Sequence, residues 1–97
     1  MLTGKQRSYL KGLANTMNPT VILGKSEMTE NTLKEMDAYL TAHELVKVKL
    51  LETVEISPKD AANEAAEKLG AEYVQAIGRR FVLYRESKDN KQIVLPR

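Results

Sequence analysis

"VILGKSEMTENTLKEMDAYLTAHELVKVKL" (residues 21–50) reads as a strand, a helix and a second strand. Val21-Ile22-Leu23 is wholly apolar, as in a strand covered on both faces. Gly24 breaks the run and opens a polar turn, Gly24-Lys25-Ser26-Glu27. Thr29 is a natural helix N-cap, and Met28 and Leu33 bracket it as a hydrophobic staple. Leu33, Met36 and Leu40 continue one helical face, while Glu30 suits the positive end of the helix dipole. After His43-Glu44 the period drops to two. Val46, Val48 and Leu50 point one way, and Leu45, Lys47 and Lys49 the other. A strand–helix–strand run implies a crossover connection within one sheet.

On the N-terminal side, Thr3-Gly4-Lys5-Gln6 is a capping box. Tyr9, Leu10, Leu13, Ala14 and Met17 then make one buried helical stripe, with Arg7 and Lys11 on its flank. Asn18-Pro19 stops that helix, because the residue before proline avoids the helical region. On the C-terminal side, Ser57-Pro58-Lys59-Asp60 starts a third helix with serine as cap and proline in the first turn. Ala62, Ala65, Ala66 and Leu69 form its small-residue stripe, and Gly70 stands where a left-handed cap is expected. Tyr73–Ile77 and Phe81–Arg85 read as a hairpin reversed at Gly78, in the Gly-X manner of a type II′ turn. The closing "KQIVLPR" has three apolar residues able to extend a sheet edge before Pro96 halts pairing.

The order is therefore α-β-α-β-α-β-β. The expected fold class is α/β: a two-layer sandwich of one mixed four-stranded sheet and three helices, with the helices mainly on one face. The lysines of the second strand would lie on the open face or its edge. Residues 1–97 are expected to form a single domain, since a chain of 97 residues has no room for a second core.

Composition narrows the function. The chain is 42% hydrophobic and 29% charged, which is ordinary for a globular protein. It has no cysteine, hence no disulfide and no thiolate metal site, as suits a reducing compartment. No apolar run exceeds the four residues Phe81–Tyr84, and the N-terminus lacks a secretory h-region, so a cytoplasmic protein without a membrane span is expected. The net charge of +2 hides a segregated distribution. Residues 1–25 carry Lys5, Arg7, Lys11 and Lys25 and no acid; residues 26–45 carry one lysine against five acids; residues 73–97 carry six basic residues against two acids. Basic ends that meet in space would make a patch for a polyanion.

Catalysis is poorly supplied. His43 is the one histidine, placed at a helix end where it caps carbonyls or fills a boundary position. No second imidazole offers a metal site, and no cofactor is expected. Neither a complete P-loop nor a dinucleotide fingerprint is present. What remains is the turn Gly24-Lys25-Ser26-Glu27 ahead of a helix N-terminus, where free backbone amides and a lysine can meet an anion.

Taken together, Leu2-Thr3 with Gln6-Arg7, His43-Glu44-Leu45-Val46-Lys47-Val48, Gln75-Ala76-Ile77-Gly78 and Leu83-Tyr84-Arg85 resemble the CRM domain, in particular the bacterial YhbY-like proteins that consist of it alone. The likeness runs from Leu2 to Arg97. It implies an RNA-binding module, without enzymatic activity, whose fold resembles the C-terminal domain of bacterial translation initiation factor three. It implies a partner among precursors of the large ribosomal subunit. It also implies that the family's Gly-x-x-Gly RNA-binding loop falls on Gly24, Lys25, Ser26 and Glu27. Here the last position is glutamate, which tolerates positive φ poorly and competes with phosphate for the helix N-terminus. The expected RNA surface comprises that loop, Lys5, Arg7, Lys11, Lys47 and Lys49, extended by Arg79, Arg80 and Arg85, on a monomer. The alternative is a protein-interaction module that docks on ribosomal proteins through the acidic faces of the second and third helices.

Overall fold

The structure, a computed structural model, describes residues 2–24 and 28–97. Three helices and four strands follow in the expected order: α1 (Gly4–Asn15), β1 (Val21–Leu23), α2 (Glu30–His43), β2 (Leu45–Leu50), α3 (Pro58–Leu69), β3 (Glu72–Ile77) and β4 (Arg80–Tyr84). The strands form one sheet in the order β1-β2-β4-β3. β1 and β2 run parallel, joined by α2, and the other two pairings are antiparallel. The sheet is thus mixed, with the last strand lying between β2 and β3.

The start and stop signals act as the residue chemistry dictates. Thr3 caps α1 in a complete capping box with Gln6. Thr29 caps α2 and Ser57 caps α3, each accepting the N–H three residues on. Gly70 ends α3 at φ 62°. Ile77 and Arg80 pair across the two-residue turn Gly78-Arg79. Gly78 has φ 61° while Arg79 does not turn positive, as a type II′ turn requires. α1 stops at Asn15, three residues before the Asn18-Pro19 pair.

Alternation along the strands divides the core between the two faces of the sheet. Val21, Leu23, Val46, Val48, Leu50, Phe81 and Leu83 face α2 and α3, meeting Met36, Leu40, Ala61, Ala62 and Ala65. Leu45, Val74, Val82 and Tyr84 face the other way, where Leu10 and Ala14 of α1 cover them. The division follows from the period of two in each strand. Two of the three helices share one face as expected. The other face, expected to be open, is covered in part by α1, because Leu10, Leu13, Ala14 and Met17 need an apolar partner and Leu45, Val82 and Tyr84 supply it.

The closing segment also departs from expectation. No strand forms after Tyr84; the tail packs Ile93 and Leu95 onto the α1 face instead. Its anchor is Glu44, the last residue before β2, which is fully buried and left-handed at φ 67°. The Glu44 carboxylate accepts from the backbone N–H groups of Ser87 at 2.8 Å, Gln92 at 2.6 Å and Ile93 at 2.8 Å. The side chains of Asn90 and Gln92 donate to the Thr41 and Ala42 carbonyls at the end of α2. Once those amides are satisfied by a carboxylate, they cannot also form a ladder on a sheet edge.

Candidate nucleic-acid interface

The described basic residues of the expected RNA surface fall into two groups when their charged atoms are followed. Three serve the fold. Lys47 reaches under the end of α1, and its Nζ donates to the Ala14 carbonyl at 3.0 Å and the Met17 carbonyl at 3.1 Å. It therefore occupies the negative end of that helix, which lacks a basic residue of its own in the last turn. Arg79 donates from Nη2 to the Leu51 and Val54 carbonyls at 2.6 and 2.9 Å, bracing the loop between β2 and α3. Arg85 ties α2 to α3: Nη1 binds Asp37 Oδ1 at 2.8 Å and the Leu69 carbonyl at 2.9 Å, while Nη2 binds the Asp37 carbonyl and Thr41 Oγ1.

The second group is open. The side chains of Lys5, Lys11, Lys49 and Arg80 have no ion pair or hydrogen bond among the described residues. Arg7 is intermediate. Its Nε donates to the Tyr73 carbonyl at 3.3 Å on the edge strand β3, and its terminal nitrogens have no partner among the described residues. Arg7 and Lys11 line a groove of about 500 Å³ with residues 73–77 of β3. At its far end is Ile77, which pairs with Arg80; Arg80 pairs with Lys49, and Lys49 with Ile22. All four of these side chains point to the α1 face, since their strand neighbours Leu23, Val48, Phe81 and Ala76 pack against the opposite core. Helix α1 and the sheet thus bring Arg7, Lys11, Arg80 and Lys49 to one surface.

Gly24 follows β1 directly, and the Leu51 N–H donates to the Leu23 carbonyl beside it. Its φ is not positive, and an added Cβ would meet only Leu51 Cδ1 at 3.9 Å, an ordinary contact. The protein's own packing therefore does not demand glycine there. Lys25, Ser26 and Glu27 lie outside the described residues, and so does the expectation about the glutamate at the loop's last position.

Among the tyrosines, Tyr84 is buried, and burial followed by the nearby Glu44 and Glu86 carboxylates pushes its hydroxyl above the usual phenol range. It is closed to a base. Tyr73 packs against the core, whereas Tyr9 is 44% exposed. His43 sits against the Tyr39 ring, centroid to centroid 4.3 Å. No group of three His, Cys, Asp or Glu among the described residues could hold a metal ion. No described helix is long and apolar enough to cross a membrane.

Glu44 is the residue whose role pattern reading missed. Burial pushes its carboxyl up, but the Ser87, Ile93 and Gln92 amides and the Lys91 charge outweigh that and hold it below the usual carboxylate range. Its sequence signal was an acid just before a strand that begins Leu45-Val46, where no acid is needed for a helix N-terminus.

The chain is similar to known proteins along nearly its whole length. A "Probable RNA-binding protein YqeI" of Bacillus subtilis is 41% identical over 96 residues, covering 99% of this chain and 100% of that one. A Haemophilus influenzae protein named as an RNA-binding protein is 42% identical over 96 residues, covering 99% of this chain and 96% of its own. The solution structure of the hypothetical protein SAV1595 from Staphylococcus aureus superposes with a TM-score of 0.74 at 44% identity, over 99% of this chain and all of that one. The sequence profile of the CRS1 / YhbY (CRM) domain matches residues 2–85, and the chain belongs to that family.

Proposed function

We propose that this protein binds RNA, acts without catalysis, and works in the cytoplasm as a monomeric assembly factor on precursors of the large ribosomal subunit. The observation that carries the RNA reading is that Lys11, Lys49 and Arg80, without partners among the described residues, share one surface with Arg7 oriented beside them; Lys5, equally unpaired, joins them in the proposal. Cations that stabilise no part of the fold, gathered beside a groove and the Gly24 loop, have the chemistry of phosphate contact. The relatives named as RNA-binding proteins support the same reading. Lys25 and Ser26 join this surface in the proposal, as the loop that follows Gly24. Lys47, Arg79 and Arg85 do not, since their charged groups are engaged by the fold. The large-subunit assignment rests on the family resemblance of the sequence.

The test is a salt titration of affinity, followed by sedimentation of cell lysate. Contact with four phosphates gives a log–log slope of about −3 for unpaired RNA. Co-migration with large-subunit particles that nuclease abolishes is the expected second result. A salt-independent affinity would remove the phosphate surface. Particle association that survives nuclease would instead favour docking on ribosomal proteins.

A further inference from the structure

The row Ile22, Lys49, Arg80 and Ile77 crosses all four strands at one end of the sheet, on the α1 face. Two features make it unfavourable as bare surface. Lys49 and Arg80 are registered directly opposite each other, and like charges in that relation repel. No acid among the described residues pairs with either. The two ends of the row are isoleucines held out to water, Ile22 at 54% and Ile77 at 69% exposure. α1 leaves this end free because its C-terminus stops over Lys47, one residue pair earlier along β2.

We infer that this row is a platform for unpaired nucleotides, with phosphate on Lys49 and Arg80 and base faces on Ile22 and Ile77. The inference rests on the RNA reading above and names the form of RNA. Strands lie about 4.8 Å apart, so the two cations are neighbours and the isoleucines stand about 14 Å from each other. One unpaired segment of two or three nucleotides spans that distance. It relieves both features together: its phosphate separates the like charges, and its base faces cover the apolar ends. A duplex cannot, because its base faces are closed by stacking and it presents only phosphate, sugar and groove edges. The Arg80 guanidinium adds a flat surface of its own on which a base can lie.

The experiment compares two labelled probes by fluorescence anisotropy, an oligouridylate of about 12 nucleotides and a duplex of the same length. The substitutions Ile22→Thr and Ile77→Thr keep the β-branch and remove apolar surface. Each is expected to weaken the unpaired probe about fivefold and to leave the duplex within about twofold. Lys49→Ala weakens both probes. Val94→Thr, at a residue of the tail that is 78% exposed and outside the row, changes neither. Equal losses for the two probes with the isoleucine variants would overturn the platform while leaving phosphate binding intact. Unchanged RNA affinity in those variants, with release of a bound protein from nuclease-treated lysate, would overturn it in favour of protein docking. Absence of any RNA binding by the wild-type chain would overturn both this inference and the function it rests on.

Discussion

Replacing Glu44 by Gln tests how the tail is held. The carboxylate accepts three backbone N–H groups at 2.6 to 2.8 Å in a fully buried position. A glutamine amide keeps one oxygen, able to face the Gln92 and Ile93 amides, but turns an N–H₂ group toward the Ser87 N–H. Two charge-assisted bonds become neutral ones, a loss of about 1 kcal/mol each. One donor is left facing another donor, for about 1–3 kcal/mol more. Relief of burying a charge returns part of this, so the net cost is about 3 kcal/mol. For a domain of this size that lowers Tm by about 15 °C. Urea unfolding followed by circular dichroism gives the stability, and hydrogen exchange gives the location: the amides of Ser87, Gln92 and Ile93 should lose protection before those of β2 and β4. The pH dependence has a fixed sign. Because the folded carboxyl titrates below its unfolded value, its contribution is full above the usual glutamate range and is lost as pH falls from about 4 toward the folded value. The E44Q variant should lack that part of the acid slope. A loss under about 0.5 kcal/mol, with the three amides still protected, would refute the account of Glu44 as the tail's anchor. Glu86→Gln, which removes an exposed pair with Lys91 at 3.6 Å, serves as the control.

The same structure predicts a contrast between the two lysines of β2. Lys47→Ala should cost about 1–2 kcal/mol in chemical unfolding, since the end of α1 loses its donor, whereas Lys49→Ala should stay within about 0.5 kcal/mol and lower RNA affinity. Arg85→Met should destabilise by about 2–3 kcal/mol with no change in the salt slope of binding, because it breaks the α2–α3 tie and leaves the Leu69 carbonyl without its donor. Gly24→Ala should unfold within about 1 kcal/mol of wild type, since no contact or positive φ forbids a Cβ; weaker RNA binding in that variant would locate a ligand at the loop backbone. Ultraviolet titration of the tyrosines should show Tyr84 ionising above the usual phenol value, from burial and the Glu44 and Glu86 charges.

Much of this architecture is written in local signals. Thr3, Thr29, Ser57, Gly70 and Gly78 mark their caps and turn because each acts within three or four residues of itself. The alternation of residues 45–50 correctly separates the two faces of β2, since that period depends on the strand alone. What covers each face depends on residues distant in sequence. The position of α1 over Leu45, Val82 and Tyr84 is set by pairing of apolar surfaces, and no pattern within residues 4–15 names the partner. For the same reason charge placement is a weak guide to free charge. Lys47 and Lys49 look alike in sequence, yet one lies under the end of a helix and the other past it. Arg79 and Arg80 are neighbours, but the first ends the hairpin turn and reaches the loop carbonyls, while the second begins β4 and faces the open row. The apolar residues of the tail are able to extend a sheet edge, but the acceptor that claims its amides sits more than forty positions away.

The place of β4 between β2 and β3 has a consequence for how the chain acquires its shape. Both antiparallel seams of the sheet depend on the strand that comes last in the sequence. Until residues 80–84 are available, the parallel pair β1–β2 exposes one unsatisfied edge and β3 has no partner. Such long-range pairing bears its loop entropy before it gains contact energy, so formation is late and cooperative. During synthesis the first seventy residues would hold three capped helices around an incomplete sheet, whose bare β2 edge is open to mispairing with another chain. One strand of five residues, Arg80–Tyr84, closes both seams at once and ends that exposure.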